Sequence, residues 1–551
     1  MKTPIFILTF LLTTSIIFAQ PLDMIPAGDP ILEDIRYLSL VSGKPFLSFS
    51  PPLAPGEIKD FLEAIDENEL NAFERETYNR VLRRLSPSVN RASNGYFTSS
   101  FDIYSTVEVR ANFNSDVSGF PQNPNIVPFF AFPVNLFFAE TFQLFIEPSI
   151  TMRPTLYGSG AFGTNIPVGG YPDYDESNPL RAFAAVGGNW WSFQIGRDRL
   201  FWGTGHTGSL TFNDNSQYFD FARFSVFSPK FKYSFIVNQL PLKLTRNLFD
   251  ERTFNNSPWD DPAFWDDPPS DLTLSNHRYF YLHRFDFILF NRLSIGIMEG
   301  LMAGNSPLEL RYLNPFIVFH SFFSWDYYDQ WNSPYDGKEW SLGHVNGSFL
   351  SLEVNWNIFK KSTVYGQMTM NTFALPWYDN PQPNSIGYMS GFQYTHSFNG
   401  WASISFIEFF YTSPYFNILS SPHASFIQQN RYDQYYFLGY SRDTISLTLG
   451  TRFFNNDTLS FSTDFSWITS GEYNKNGLVW NYKRSTEAFK ENTPTGIAEN
   501  KFILSLGAGW KLYTWLGFKT NITGIYSINN NHQKGDTAIG GQASFSVSLR
   551  Y

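Results

Sequence analysis

From Tyr96 onward the period of the chain changes to two, with apolar and polar side chains alternating in one stretch after another. Phe142, Leu144, Ile146, Ile150 and Met152 share one parity, against Gln143, Glu147, Ser149, Thr151 and Arg153 on the other. Ile445, Leu447 and Leu449 alternate with Ser446, Thr448 and Gly450, and Leu459, Phe461, Phe465 and Trp467 with Ser460, Ser462, Asp464 and Ser466. The final stretch is the most regular, with Ala543, Phe545, Val547, Leu549 and Tyr551 set against Ser544, Ser546, Ser548 and Arg550. A period of two puts every apolar side chain on one face of an extended strand, a pattern that a helix smears around its axis. The bulk of the chain is thus committed to antiparallel sheet with one apolar and one polar face.

Composition says which kind of sheet. Aromatic residues make up 19% of the chain (59 Phe, 30 Tyr, 15 Trp), and charged residues only 16%, against roughly 25% in soluble domains. A soluble sandwich also alternates, but it does not need this many aromatics or an alternating strand that ends on one. The pattern is that of a transmembrane β-barrel, apolar toward lipid and polar toward the lumen, with aromatic girdles at both interfaces. The fold class expected is all-β: a transmembrane antiparallel β-barrel. About 455 residues, at roughly 25 per strand with its connection, suggest 16 to 18 strands.

The first residues read as an address. Met1-Lys2 carries the positive end and Ile5 to Phe18 the apolar run of a signal peptide, with cleavage near Ala19 although Ile17 is larger than usual at that spacing. Export follows, and with it an outer-membrane location. The complete lack of cysteine excludes disulfides, thiolate metal sites and cysteine nucleophiles. The net charge of −10 argues against nucleic acid as a partner.

Residues 20–95 differ in pattern from the alternating region. Asp29-Pro30 reads as an N-cap and first helical residue, opening a helix near Ile31 to Val41. After the connector "KPFLSFSPPLAPG", Ile58, Phe61, Leu62 and Ile65 keep helical spacing, as do Leu70, Phe73, Tyr78, Val81, Leu82 and Leu85. A small α-helical periplasmic segment is expected there, ahead of a barrel at 96–551 and behind a signal peptide at 1–19.

Loop lengths orient the barrel. With the C-terminus inside, the connections near Asn529–Thr537 and Ile468–Asn500 fall outside, and the tight turns at Lys511–Thr514 and Asn455–Asp457 fall inside. Short turns inside and long loops outside is the barrel asymmetry. This context also bears on Gly203 to Gly208, which satisfies G-x-G-x-x-G. A nucleotide turn needs a parallel strand before it and a helix after it, and neither is expected here. A bend or a close backbone approach is the better use of those glycines.

"GRDRLFWGTGHTGSLTFNDN", "YLHRFDFILFNRLSIGIMEG" and "LELRYLNPF" together resemble the successive signatures of the capsule assembly Wzi family. The resemblance spans most of the chain. It implies an outer-membrane barrel with a periplasmic helical bundle that binds surface polysaccharide without catalysis. One departure is Asn213 to Tyr218, where family members often carry S-x-N-A-x-P. That leaves the ligand open more than the fold.

Candidate site residues come from both readings. Arg197 and Arg199 share a strand face and could line a polar lumen and grip sugar acids, or form a structural network with Asp198 or Glu299. Trp202 and His206 belong to the same candidate lumen network. Glu299 has the parity of Leu293, Ile295 and Ile297, so an unbroken strand would point it at lipid, and a bulge or strand end near Met298 is expected. The repeated W-D-D-P places Trp259, Asp260, Asp261 and Trp265, Asp266, Asp267 in a proline-broken loop. There, indole faces could stack on sugar rings while aspartates accept hydroxyl protons or hold calcium. The alternative is a merely solvated acidic loop. His277, His283 and His320 lack metal-ligand spacing, and neither a metal nor a cofactor is called for. The function expected is polysaccharide binding or retention, with outer-membrane lipid and the barrel assembly machinery as further partners. A porin or hydrophobic-solute channel is the alternative, and a barrel-embedded hydrolase a third reading.

Overall fold

The computed structural model describes residues 22–85, 92–93, 97–114, 117, 127–139, 141–152, 161–167, 172–174, 181–213, 218–240, 242, 277–304, 306–314, 317, 319, 345–372, 383–419, 423–429, 435–455, 458–474 and 492–551. Residues 1–21, where a signal peptide is expected, and the W-D-D-P segment lie outside these residues.

Among the described residues three α-helices come first: α1 (Ile31–Ser42), α2 (Pro55–Glu63) and α3 (Ala72–Leu85). Asp29 caps α1 as its sequence suggests, its carboxylate accepting the Ile31 N–H at 3.0 Å. At the start of α3, Asn71 and Glu74 exchange side-chain-to-backbone bonds at 3.0 and 2.9 Å, which satisfies two of the otherwise orphaned donors of a helix end. Their apolar stripes meet in one core of Ile35, Leu38, Phe61, Leu62, Phe73 and Val81. Among the described residues no helix is long and apolar enough to cross a membrane.

The rest is antiparallel strand. The first three are each interrupted once: β1 (Phe97–Phe101, then Tyr104–Phe113), β2 (Phe130–Ala131, then Val134–Phe138) and β3 (Phe142–Ile146, then Ser149–Met152). The breaks at Pro133 and Pro148 lie side by side, where proline has no N–H to give to the ladder. The carbonyls still accept, from Asp102 N at 3.1 Å and Phe132 N at 2.9 Å. The next strands are β4 (Ala182–Gly187), β5 (Trp191–Asp198), β6 (Phe219–Ser228), β7 (Phe231–Gln239) and β8 (Arg278–Leu289). Then come β9 (Leu293–Gly304), β10 (Val345–Phe359), β11 (Ser362–Thr372), β12 (Ser385–Phe398) and β13 (Trp401–Thr412). The last are β14 (Thr444–Asn455), β15 (Leu459–Ser470), β16 (Glu499–Tyr513), β17 (Leu516–Ile528) and β18 (Thr537–Arg550).

Each strand pairs with its sequence neighbours, and β18 pairs back onto β1, Gly541 opposite Phe113 through Arg550 opposite Tyr104. Tyr551 completes the seam, exchanging backbone bonds with Ile103 at 2.9 and 3.1 Å. Of the 24 segments in the sheet, three pairs are halves of broken strands and three are short additions. That leaves eighteen wall strands among the described residues, at the top of the expected range.

The wall is inverted relative to a soluble protein. Ile407 and Phe409 on β13, Leu504 and Leu506 on β16 and Phe545 on β18 are exposed. Gln194, Arg223, Ser234, Glu353, Thr369 and Glu408 are buried inside. Exposed apolar surface continuous around a barrel requires a non-aqueous surrounding. The tight turns between β12 and β13, between β16 and β17 and between β10 and β11 gather at one end, the hairpin end, and the long connections at the other. The turn expected at Lys511–Thr514 sits at residues 514–515, and the long connection expected at Ile468–Asn500 runs from residue 471 to 498.

The helical segment does not stand apart from the barrel. It is seated in the hairpin-end mouth, where Tyr37 and Phe73 pack on Phe454 of β14 and Ala402 and Ile404 of β13 join its core. Lys361 N donates to Leu40 O at 2.6 Å, tying the β10–β11 turn to the end of α1.

Candidate functional site in the barrel lumen

The connector after α1 runs into the lumen, and buried wall cations hold it there. Arg223 on β6 donates to the Ser50 carbonyl at 3.2 Å and also to that of Pro52. Lys232 on β7 pairs with Glu57 of α2, with Arg223 3.7 Å from the same carboxylate. Farther round, Arg284 on β8 is neutralised by Asp286 at 2.8 Å and Glu353 of β10 at 3.1 Å. These ions are matched inside the barrel, as burial of charge demands.

The β5–β6 connection then crosses from one wall to the other. Trp202 donates its indole N–H to Pro51 O at 3.2 Å, and Gly203 N donates to Phe49 O at 3.0 Å. Beyond them the glycine motif closes on the Glu408 carboxylate of β13. His206 N and Thr207 N donate to it at 2.7 and 2.8 Å, the Thr207 hydroxyl also donates, and Tyr365 of β11 donates at 2.7 Å. The glycines are there for space, because a Cβ on Gly205 would lie 2.1 Å from Gly208 O and one on Gly208 2.9 Å from the Tyr440 ring. The motif is thus an anion cradle whose anion is the chain's own carboxylate. Among the described residues no parallel strand or following helix accompanies it, and the strands on either side pair antiparallel.

His206 lies flat on Phe406, with ring centroids 4.1 Å apart, and its Nε2 sits 2.9 Å from Gln393 of β12. Leu210 N donates to Gln367 of β11 at 2.8 Å. Above this belt Trp202, Phe212, Phe219, Phe280, Phe349 and Phe426 form a hydrophobic core inside the barrel. A cavity of about 310 Å³ remains between α1 and the crossing loop, lined by Glu33, Arg36, Phe49, Arg199, Phe201 and His206 among others.

The sequence candidates divide accordingly. Trp202, His206 and Arg199 are lumenal, and so is Asp198, whose carboxylate takes Arg181 at 2.7 Å and Gln194 at 3.1 Å. Arg197 is corrected: it carries the outward parity of Ile195, pairs with Asp220 at 2.8 Å and lies over the Tyr218 ring. It shares no lumen face with Arg199, because the strand ends at Asp198 and the chain turns inward there. Glu299 is corrected as well. Strand β9 pairs without interruption on both sides, His283 opposite Glu299 and Arg284 opposite Met298, so no bulge turns the acid inward. Instead the segment after β9 folds back on the outer wall, setting Tyr312 against Tyr281 and Phe319 against His283. That segment, rather than a bulge, shields this stretch of wall.

Trp259, Trp265, Asp260, Asp261, Asp266 and Asp267 lie outside the described residues, as do residues 214–217 of the departing motif. Among the described residues no group of histidines and carboxylates is placed to hold a metal. Reading the sequence missed Glu408, Gln367 and Gln393. The signal was present in Glu408, the one acid of Trp401–Thr412, on the parity opposite Ile407 and Phe409. At the loop end Asp443 accepts Thr495 N and Tyr473 N, both at 3.2 Å, yet burial still holds its carboxyl above the usual carboxylate range.

No protein-family model matches the sequence, and no curated sequence matches it. Solved structures do. Wzi from Escherichia coli, described as an outer-membrane protein involved in group 1 capsule assembly and a carbohydrate-binding β-barrel, superposes with a TM-score of 0.56 at 14% identity, over 95% of this chain and 98% of that one. OprD of Pseudomonas aeruginosa matches with a TM-score of 0.40 at 7% identity, over 82% of this chain and 95% of that one. The fold is that of an outer-membrane β-barrel, and it is shared with Wzi along nearly the whole of both chains.

Proposed function

We propose that this chain is a non-catalytic outer-membrane barrel that binds or retains surface polysaccharide through its loop end, with the helical segment on the periplasmic side. The observation that carries this reading is the occupied lumen. The crossing loop is bonded to the far wall at Gln367, Gln393 and Glu408, and a hydrophobic core stands where a solute channel would hold water. With the interior given over to packing, the surface free to act is the loop end. The fold shared with a carbohydrate-binding barrel supports the same reading.

The test is retention. Deleting the gene should move surface polysaccharide from the cell-bound to the released fraction, and the purified barrel should bind that polysaccharide directly. Within the reading, Trp259 and Trp265 are the sugar platform. Stacking contributes on the order of 1 kcal/mol per indole, so replacing both with alanine should weaken binding roughly thirtyfold. Unchanged binding would remove the platform and leave the barrel standing. Unchanged retention in the deletion strain would remove the function. The channel reading is separated by conductance, since a barrel filled in this way should be silent in a planar bilayer.

A further inference from the structure

Two residues of the inner wall are left without the partners that their chemistry demands. Arg278, at the loop end of β8, is fully buried on the inward face. Its Nε donates to His423 O at 2.9 Å, and Nη2 to Ser425 O, which fastens the inward-folded β13–β14 connection to the wall. Its Nη1 has no partner, and among the described residues no carboxylate pairs with it. Backbone carbonyls satisfy hydrogen bonds, but they do not neutralise a guanidinium. The other fully buried arginine of the same strand, Arg284, has two acids.

Asn238 of β7 is the second. It is fully buried too, and both Nδ2 and Oδ1 lack partners. Register brings the two together. Asn238 lies opposite Phe280, and Leu240 N donates to Arg278 O at 2.9 Å, so Arg278 and Asn238 are diagonal neighbours on one face. Such neighbours are roughly 7 to 8 Å apart at the backbone, within reach of a long side chain. Phe221 and Phe280 lie opposite Asn238 on either side and belong with Leu240, Met302 and Phe426 to the buried apolar core, a setting in which an unmatched charge and an unmatched amide are each strongly penalised.

We propose that Arg278 Nη1 and Asn238 Nδ2 together bind a small monovalent inorganic anion of the size of chloride, enclosed in the upper lumen. Two unpartnered donors on neighbouring positions of one face, one of them cationic, favour an acceptor that carries negative charge. A water molecule would satisfy the bonds and leave the charge unmatched. Full burial of both side chains excludes anything as large as a sugar acid. The bound anion acts structurally, holding β7, β8 and the inward-folded connection as one unit.

The test uses the full-length barrel folded in detergent, with urea midpoints measured in chloride, in bromide and in gluconate at equal ionic strength. A ligand that binds only the folded state multiplies the folding constant about tenfold for each tenfold rise above its dissociation constant. Chloride and bromide should therefore raise the midpoint, and gluconate should not. Crystals grown in bromide should show an anomalous peak between Arg278 and Asn238. The Asn238→Leu variant keeps the charge and should fold, with its halide response greatly reduced. If no anion binds, the same variant removes only an unpartnered amide and gains stability equally in all three salts. That result, a parent indifferent to halide, or a full halide response in Asn238→Leu would each overturn the proposal. Arg278→Met adds a check where it folds, and there the response should vanish.

Discussion

Glu408 accepts the backbone N–H of His206 at 2.7 Å across 202 residues of chain. This bond turns a loop leaving β5 into a strut spanning the lumen, since its far end is held by β13. The carboxylate is fully buried and has at least four donors around it, the arrangement that makes a buried charge tolerable.

Removing that acceptor should release the strut. Glu408→Ala leaves the N–H groups of His206 and Thr207 unmatched inside the barrel, at a cost on the order of 3 kcal/mol. The urea midpoint should fall, and single-channel events should appear in planar bilayers where the parent is silent. A silent variant of parental stability would mean that the loop is held by its apolar packing alone.

The glycine motif offers a second route to the same effect. In Gly205→Ala the new methyl carbon would meet Gly208 O at 2.1 Å, so the turn must open. Strand-to-strand pairing is untouched, and destabilisation of about 1–3 kcal/mol is expected, together with easier proteolysis of the loop. Parental protease resistance would show that the turn has slack that its geometry hides.

Asp60 in α2 makes the seated helical segment sensitive to pH. Burial, then the neighbouring charges of Glu63 and Glu57, push its carboxyl up to about 6 from an ordinary 3.8. Between those values the folded state holds more protons than the unfolded one, so this group's contribution falls as pH rises and is least favourable above 6. Asp60→Asn should therefore gain stability relative to the parent on going from pH 4 to pH 7. An advantage that does not change with pH would argue against the raised carboxyl.

The absence of native cysteine allows orientation to be read directly. In Lys534→Cys the thiol sits in the β17–β18 connection at the loop end, and in Asn399→Cys at a hairpin turn. A membrane-impermeant maleimide applied to intact cells should label the first and not the second. The reverse pattern would invert the barrel.

Much of the wall is legible in the sequence because a barrel strand is a local object. Alternation over Ala543 to Tyr551 or Ile445 to Leu449 states which face is apolar, whatever the partner strand. The helix at Ile31 is legible for a similar reason, since Asp29 caps it through bonds two residues away. The candidate site is much less so. Arg197 and Arg199 look alike in sequence, yet one pairs with Asp220 outside and the other lines a cavity inside. The strand ends between them, and nothing local announces that end.

What the sequence determined by itself was the class of environment: period two, abundant aromatics and few charges commit the chain to an inverted wall closed on itself. What only the tertiary structure decided was how the interior is used. The helices sit in the mouth instead of hanging from it, the G-x-G-x-x-G loop cradles Glu408, and Glu299 faces outward beside a folded-back segment without a bulge. Each of these depends on residues far apart in the chain meeting across the lumen or over the wall. Periodicity reports only which way a side chain points, and what waits there is set by closure of the barrel.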